Sequence, residues 1–452
     1  MNHSQPWWRE LNRYHWFVLV VAALGWLFDC LDQQLFLLAR APAMRDLLPP
    51  GANINEYSGY ATAIFVLGWA TGGLIFGVLG DRIGRAKTMM ITILVYSLCT
   101  GLSALSTGFW DFAFYRFITG LGVGGEFAVG VALIAEVMPD RARPHALGLL
   151  QALSAVGNVS AALIEMGLSH WEGSGGMPSA WAKWRIMFVI GAFPALLALV
   201  VRWRLKEPEK WQKVKMSREE SRKAGSYAAL FSNPRWRKNA LIGMVLACAG
   251  VIALWGIVFY SMDLVGSVME KSLAAQGLAG AELKGAVGSW KGKTSLMLNA
   301  GAFLGMLAFT KFTQRTSRRL AFAVAFVGAM VSTSLVFWIV REPWHIYLLV
   351  PIMGFFMLGI FGGYAIYFPE LFPTSLRSTG TSFCYNVGRF IAASGPWTLG
   401  LLSSKVFHNT EEPLRYAGLA MCSIFVLGLL VIPFMPETRG QPLPEEERGF
   451  AH

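Results

Sequence analysis

Apolar segments recur along the whole chain. Residues 17–28, 89–105, 186–201, 241–260, 320–340, 346–368 and 417–435 carry no Asp, Glu, Lys or Arg, and most are long enough to cross about 30 Å of hydrocarbon. A spanning segment must satisfy every backbone N–H and C=O internally, which leaves helices or a closed barrel. The runs do not alternate apolar with polar residues, as barrel strands do, so a helical bundle follows. Composition agrees: 54% of the 452 residues are hydrophobic and 15% charged, where a soluble domain carries nearer about a quarter charged.

With breaks at Pro, Gly and charged clusters, the pattern predicts an all-α integral membrane fold. Twelve transmembrane helices are expected near 15–38, 57–79, 88–106, 111–137, 145–168, 185–203, 238–262, 290–310, 320–340, 345–368, 379–402 and 415–435. An even count puts both termini on one side. Arg82, Arg85 and Lys87 follow helix two, Arg141 and Arg143 follow four, Lys311, Arg315, Arg318 and Arg319 follow eight, and Arg377 follows ten. By the positive-inside rule these loops and both termini are cytoplasmic, and a multi-pass protein of the inner (plasma) membrane is expected. The same placement accounts for the net charge of +12, so no nucleic-acid partner is inferred. The first apolar segment reads as a signal anchor without a cleavage site. Cys30, Cys99, Cys248, Cys384 and Cys422 fall inside predicted helices, which implies neither disulfides nor a metal cluster.

An internal repeat organises the chain. The loop E-V-M-P-D-R-A-R (136–143) matches E-L-F-P-T-S-L-R (370–377) at an offset of 370 − 136 = 234; Arg85 matches Arg318 at 318 − 85 = 233; Glu207 matches Glu437 at 437 − 207 = 230. Three loop signatures at nearly one spacing indicate duplication. The expected domains are an N-terminal six-helix half (1–203), a cytoplasmic linker (204–237) and a C-terminal six-helix half (238–452) with a short tail. Parallel repeats about an axis along the membrane normal are the arrangement in which rocking halves give alternating access. The stretch 202–238 holds twelve Lys/Arg against four Asp/Glu, too short and polar for a domain of its own.

G-V-L-G-D-R-I-G-R-A-K (77–87), R-F-I-T-G-L-G-V-G-G-E (116–126), the two P-E…R loops and P-E-T-R-G (436–440) resemble the signatures of the major facilitator superfamily across nearly the whole chain. The second copy of the first motif departs from it, with Gln314 in the place of Asp and Ser317 in the place of Gly. The resemblance implies a transporter rather than an enzyme, with a cytoplasmic latch on the outward-open state. Asp81, Arg85, Glu136, Arg143, Glu207, Glu370, Arg377 and Glu437 would form that latch. The glycines of helix four, Gly120, Gly122, Gly124, Gly125 and Gly130, permit close packing.

A charged side chain inside the membrane costs about 2.5–3.5 kcal/mol, so each requires a reason. Asp29 and Asp32 lie one turn apart on one face of helix one. At 1.5 Å per residue, Asp32 and Arg116 sit at similar depths of roughly 10 and 8 Å from the outer face and can pair. In proton-coupled sugar porters an Asp and an Arg at such positions couple protonation to conformation, and D-C-L-D is similar to the D-G-F-D of aromatic-acid:proton symporters. The alternative is a static pair pinning two helices. Glu126, about 22 Å into helix four, is either a second protonation site or a polar packing residue. Glu165 reads as an interfacial residue.

Arg389 lies about 15 Å into helix eleven, near the midplane where such transporters bind substrate. Its planar fork suits a carboxylate; the alternative is neutralisation by an acid of the chain. The segment around it is similar to the matching helix of mammalian organic-anion transporters. Gln151, Asn158 and Asn386 are candidate polar cavity residues, and Trp255, Tyr260 and Tyr364 candidate aromatic walls, against the alternative of packing. The paired glutamines and asparagine of sugar porters are absent from helix seven.

The expected function is proton-coupled uptake of a small organic carboxylate, aromatic acids included, by a protein working as a monomer in the lipid bilayer with the proton as its only coupling ion. The alternatives are an uncoupled organic-anion facilitator or exporter, a sugar or polyol:proton symporter, and a non-transporting sensor.

Overall fold

The computed structural model describes residues 6–52, 54–173, 181–217, 224–392, 398 and 402–445, and every regular element among them is helical. The N-terminal series runs α1 (Arg13–Leu47), α2 (Ile54–Ile83), α3 (Arg85–Ser103), α4 (Phe109–Val137), α5 (Arg143–Gly173), α6 (Lys183–Ile190) and α7 (Ala195–Arg204). Two short helices, α8 (Glu209–Met216) and α9 (Tyr227–Ser232), occupy the linker. The C-terminal series is α10 (Pro234–Ala253), a π-helical turn (Leu254–Val258), α11 (Phe259–Ala275), α12 (Gly280–Arg315), α13 (Arg318–Ile339), α14 (Pro343–Glu370), α15 (Arg377–Ala392), α16 (Pro413–Met421) and α17 (Ile424–Val431).

Among the described residues ten helices are long and apolar enough to cross a membrane. The sixth predicted span falls short of that length because it is broken between α6 and α7, where Gly191 and Pro194 interrupt it; proline has no N–H for the ladder. The eleventh is described only as far as Ala392. The twelfth turns at Cys422 and Ser423 between α16 and α17 but is one of the ten, running from Arg415 to Phe434.

Several boundaries differ from the hydropathy reading. Helix α1 runs through Pro42 to Leu47 rather than stopping near residue 38. Helices α11 and α12 cover 263–275 and 280–289, most of a stretch that hydropathy leaves as a loop. That stretch is rich in Ala, Glu, Lys and Leu, strong helix formers that an apolarity count does not register.

Contacts divide the chain into two compact units. Unit 1 comprises Met1–Leu241, Ala365–Val387 and Gly440–His452; unit 2 comprises Ile242–Tyr364 and Gly388–Arg439. The segment Ala365–Val387, which belongs to the second sequence repeat, therefore packs with the first.

Within unit 1, α4 lies along both α2 and α3, and α1 along α5. The α2–α4 crossing is a backbone contact: a side chain at Gly72 would run into Leu121, and one at Gly124 into the carbonyl of Trp69. Small residues facing each other are the usual means of bringing membrane helices this close.

Unit 1 also holds the linker. Trp211 of α8 donates its indole N–H to the Asp81 carbonyl (2.7 Å), Tyr227 of α9 donates to the Leu74 carbonyl (3.0 Å), and the Gly225 N–H donates to Ser375 (3.0 Å). Burial pushes the Tyr227 hydroxyl above its ordinary pKa, and the nearby Asp81 carboxylate adds to the effect. Burial, then the positive charges of Arg143 and Arg377, lower the pKa of Lys210 on α8.

Candidate functional site

Two groups of buried charges occupy unit 1. The first lies between α1, α3 and α4. Asp29, Asp32, Arg116 and Glu126 are each at most 1% exposed. Asp32 accepts a 2.6 Å hydrogen bond from Thr100 and faces Arg116 at 3.7 Å, an ion pair too long to be a hydrogen bond. The guanidinium is held by other groups: Arg116 donates to the Ser103 hydroxyl from Nε (3.1 Å) and Nη2 (2.7 Å), and to Thr119 (3.1 Å). The rings of Phe188, Phe36 and Phe112 surround it, with its central carbon 4.6, 5.6 and 6.0 Å from their centroids.

Glu126 accepts one hydrogen bond, from Thr92 at 2.7 Å, and its other oxygen packs where a side chain at Gly25 would stand. Neither oxygen of Asp29 accepts a hydrogen bond among the described residues. Three carboxylates thus share one enclosure with one guanidinium, and the pairing of Asp32 with Arg116 anticipated from helix depth is present.

Beside this cluster runs an aromatic stack that sequence reading missed. Trp26 lies one turn before Asp29 and packs on Phe127 with centroids 4.7 Å apart, and Phe127 stacks on Tyr385 at 4.3 Å. The buried indole N–H of Trp26 has no hydrogen-bond partner among the described residues. Trp26 and Tyr385 lie in different repeats, so no sequence spacing relates them.

The second group gathers the loop signatures. Asp81 accepts from the N–H groups of Ser378 (3.1 Å) and Thr379 (2.8 Å) and from the Thr379 hydroxyl (2.6 Å), which caps the first turn of α15. Arg85 reaches Asp81 at 2.9 Å and grips Glu136 with two bonds of 3.1 and 2.9 Å. Arg377 adds a 2.7 Å bond to the same Glu136 oxygen. All four side chains are fully buried. Arg143 is tied locally to Asp140 and the Ala135 carbonyl, and Glu370 is buried at the end of α14.

Glu207 and Glu437 act on backbone rather than on side chains. Glu207 accepts the N–H groups of Arg85 (2.7 Å), Ala86 (3.2 Å) and Lys87 (3.1 Å) at the start of α3. Glu437 accepts those of Arg318 (3.0 Å) and Arg319 (3.3 Å) at the start of α13, and that of Arg439 (3.0 Å). A helix start has unpaired N–H groups and a positive dipole end, which an anion satisfies. Burial raises the Glu437 pKa, but these bonds and the charge of Arg318 outweigh it and hold it below the usual carboxylate value.

The arginines repeat the same geometry in each half. Arg85 donates from Nη1 to the carbonyl five residues back, Gly80 (2.6 Å), as Arg318 does to Thr313 (3.3 Å). Arg143 and Arg377 each donate from Nε to the carbonyl eight residues back, Ala135 (2.8 Å) and Pro369 (3.2 Å). Gln314, the counterpart of Asp81, has an amide nitrogen without a partner among the described residues.

The remaining candidates are dispersed. Arg389, in the last described turn of α15, is 3% exposed and belongs to unit 2. Asn386, in unit 1, donates to the Ser382 carbonyl and hydroxyl, each at 3.0 Å, and presses against Gly73. Gln151 is buried, its amide oxygen without a partner among the described residues, and Asn158 is half-buried. Tyr364 donates its hydroxyl to the Leu246 carbonyl (2.6 Å) and is fully buried, a strut between α10 and α14. Trp255 is half-buried in the π-helical turn, and the side chain of Tyr260 lies outside the described residues. Among the described residues no His, Cys, Asp or Glu cluster could hold a metal ion.

Known proteins resemble this chain in sequence and fold. The chain is 27% identical over 439 residues to the probable 4-methylmuconolactone transporter of Cupriavidus pinatubonensis, covering 95% of this chain and 92% of that one. It is 28% identical over 351 residues to the cis,cis-muconate transport protein of Acinetobacter baylyi, covering 77% and 78%. The fold matches that of the proton:xylose symporter XylE bound to 6-bromo-6-deoxy-D-glucose, with a TM-score of 0.77 at 16% identity, covering 95% of this chain and 98% of that one. The profile described as Major Facilitator Superfamily matches residues 22–396, and the chain is a multi-pass membrane transporter belonging to that superfamily.

Proposed function

We propose that the protein couples proton entry to the uptake of a small organic carboxylate, with aromatic and other unsaturated acids as its substrate class. The carrying observation is the enclosure of Asp29, Asp32 and Glu126 with the single cation Arg116. Three fully ionised carboxylates would leave that enclosure with two uncompensated negative charges, a heavy cost where water is excluded. Protons are the simplest countercharge, and no other cofactor is needed.

Asp29 and Glu126, which have few or no donors, carry the exchangeable protons. Asp32 is positioned by Thr100 and Arg116, and its pairing with Arg116 ties protonation to the placement of α1 against α4. Arg389 supplies the cation for the substrate carboxylate, a pairing its planar fork favours. The substrates for which the two relatives are named, 4-methylmuconolactone and cis,cis-muconate, favour a carboxylate over a sugar.

The orientation follows from the cations of the loops: both termini are cytoplasmic, in an inner (plasma) membrane, and a single chain is the functional unit. The bonds of Asp81, Glu136 and Arg377 hold the cytoplasmic end of unit 1 together and form the latch that must open for substrate release.

The test is uptake of labelled carboxylates, sugars and amines into proteoliposomes, with and without an inward proton gradient. Gradient-driven accumulation of a carboxylate is expected, together with its loss in Asp29→Asn and Asp32→Asn while exchange across equal pH persists. Uptake that only equilibrates the solute and is indifferent to the proton gradient would leave an uncoupled facilitator, and carriage of a neutral solute untouched by Arg389→Ala would remove the carboxylate assignment.

A further inference from the structure

A groove of about 420 Å³ opens on unit 2 between α12, α13 and α14. At one end α12 and α14 touch backbone to backbone, because a side chain at Gly305 would run into the carbonyl of Phe355. From there the groove is walled by Ala308, Phe312, Val324 and Phe356 and leads to Lys311 and Arg315. Phe312 and Val324 are 37% and 43% exposed, so the opening lies on the outer apolar surface of these helices, which faces lipid.

The cationic end distinguishes this groove from ordinary surface roughness. Lys311 and Arg315 sit four residues apart on one face of α12, both exposed, and neither has an ion-pair partner among the described residues. Like charges at this spacing repel each other. Arg319, by contrast, is committed to the Met435 carbonyl at 2.7 Å. From Gly305 to Arg315 the helix rises about 15 Å, the depth of one leaflet's hydrocarbon. An apolar trough of that length ending in two unpaired cations matches one amphiphile: acyl chains along the trough, and a negative headgroup at its mouth.

We propose that this groove is a binding site for an anionic glycerophospholipid, with its phosphate held by Lys311 and Arg315 and an acyl chain lying along Phe312 and Phe356. The site is separate from the transport pathway proposed above and does not depend on it.

The test is native mass spectrometry of the purified full-length protein, offered equal amounts of phosphatidylglycerol and phosphatidylcholine with the same acyl chains. The last lipid retained should be phosphatidylglycerol, by about 30-fold, the equivalent of roughly 1 kcal/mol for each of two cations beside a charged headgroup. K311A/R315A should bring the ratio close to one while the protein stays folded, since both residues are exposed. Ala308→Trp should reduce retention of both lipids by filling the trough. Arg237→Ala/Lys238→Ala, which removes two exposed cations elsewhere, should leave the ratio unchanged. The proposal is overturned if the wild type shows no preference, if the control pair lowers the ratio as much as K311A/R315A, or if Ala308→Trp retains lipid like the wild type. It is also overturned if inorganic phosphate alone abolishes the preference, because the cations would then be a simple phosphate site.

Discussion

Gly84 and Ser317 stand at equivalent places in the two halves, 233 residues apart, each before a helix whose first N–H groups a glutamate accepts, but they make different N-caps. Gly84 precedes α3 with a φ of 119° and no side-chain cap, and leaves room into which the Glu207 carboxylate fits. Ser317 precedes α13 in an extended conformation, φ −144°, and its hydroxyl accepts the Leu320 N–H at 3.1 Å. The departure from the glycine motif in the second half is therefore a change of capping chemistry.

Substitution at the two sites should separate these means. Gly84→Ala forces a side chain into a backbone region open almost only to glycine, costing about 1–3 kcal/mol, and displaces Glu207 as well. Ser317→Ala removes one cap, worth about 1 kcal/mol. Thermal unfolding of purified protein is expected to rank Gly84→Ala well below Ser317→Ala.

Glu136 lies between Arg85 and Arg377, and both arginines are buried with it. Removing the shared anion leaves two facing cations away from water, a type of change that costs about 3–5 kcal/mol. Glu136→Ala should therefore lower the melting temperature sharply. If the pairing carries the cost, Glu136→Gln/Arg377→Gln will lose less than the sum of its single changes; strict additivity would show the contact to be passive.

Much of this group was legible in the sequence, because duplicated acids beside duplicated arginines at a constant offset have few explanations other than shared geometry. The buried pair of Asp32 and Arg116 was legible too, since charges inside apolar runs are costly and helix rise fixes their depth. What hydropathy could not reach was anything that depends on which helices touch. Thr92, Thr100 and Ser103 complete the enclosure, yet in the sequence they are ordinary small polar residues of a membrane helix. The role of Glu207 as a cap for α3 was hidden because its partners are backbone N–H groups, which every residue but proline has.

The bonds at Glu437 predict a pH dependence of stability. Because the native carboxyl titrates below its unfolded value of 4.5, the native state binds fewer protons than the unfolded chain there. Its contribution is thus complete above pH 4.5 and is lost as the pH falls through the lowered native value. Glu437→Gln should be less stable than the wild type at pH 7, and the gap should close as the medium is acidified below that window. Thermal unfolding of both proteins at pH 7, 5 and 3 reads the effect; a gap that does not narrow would mean that Glu437 acts by packing alone.

Glycines on one helix have different burdens, and the difference can be measured. At Gly72 an added methyl meets the backbone of Leu121 on α4, which no rotamer change can relieve. At Gly77 it meets the Cβ (2.5 Å) and hydroxyl (2.9 Å) of Ser382 on α15; the hydroxyl can turn away but the Cβ moves only with the α15 backbone, and the Ser378 carbonyl lies 3.2 Å off. At Gly130 of α4 an added methyl meets nothing within 4 Å among the described residues beyond its own helix turn, so alanine there adds helix propensity worth about 0.8–1 kcal/mol at most. Gly72→Ala should therefore lower the melting temperature most, because it parts α2 from α4. Gly77→Ala should cost less stability and act chiefly on the contact between α2 and α15, visible as faster labelling of a cysteine placed at Ser378. Gly130→Ala should match or exceed the wild type, and a large loss there would show that α4 is packed more tightly in the membrane than its surroundings in the structure indicate.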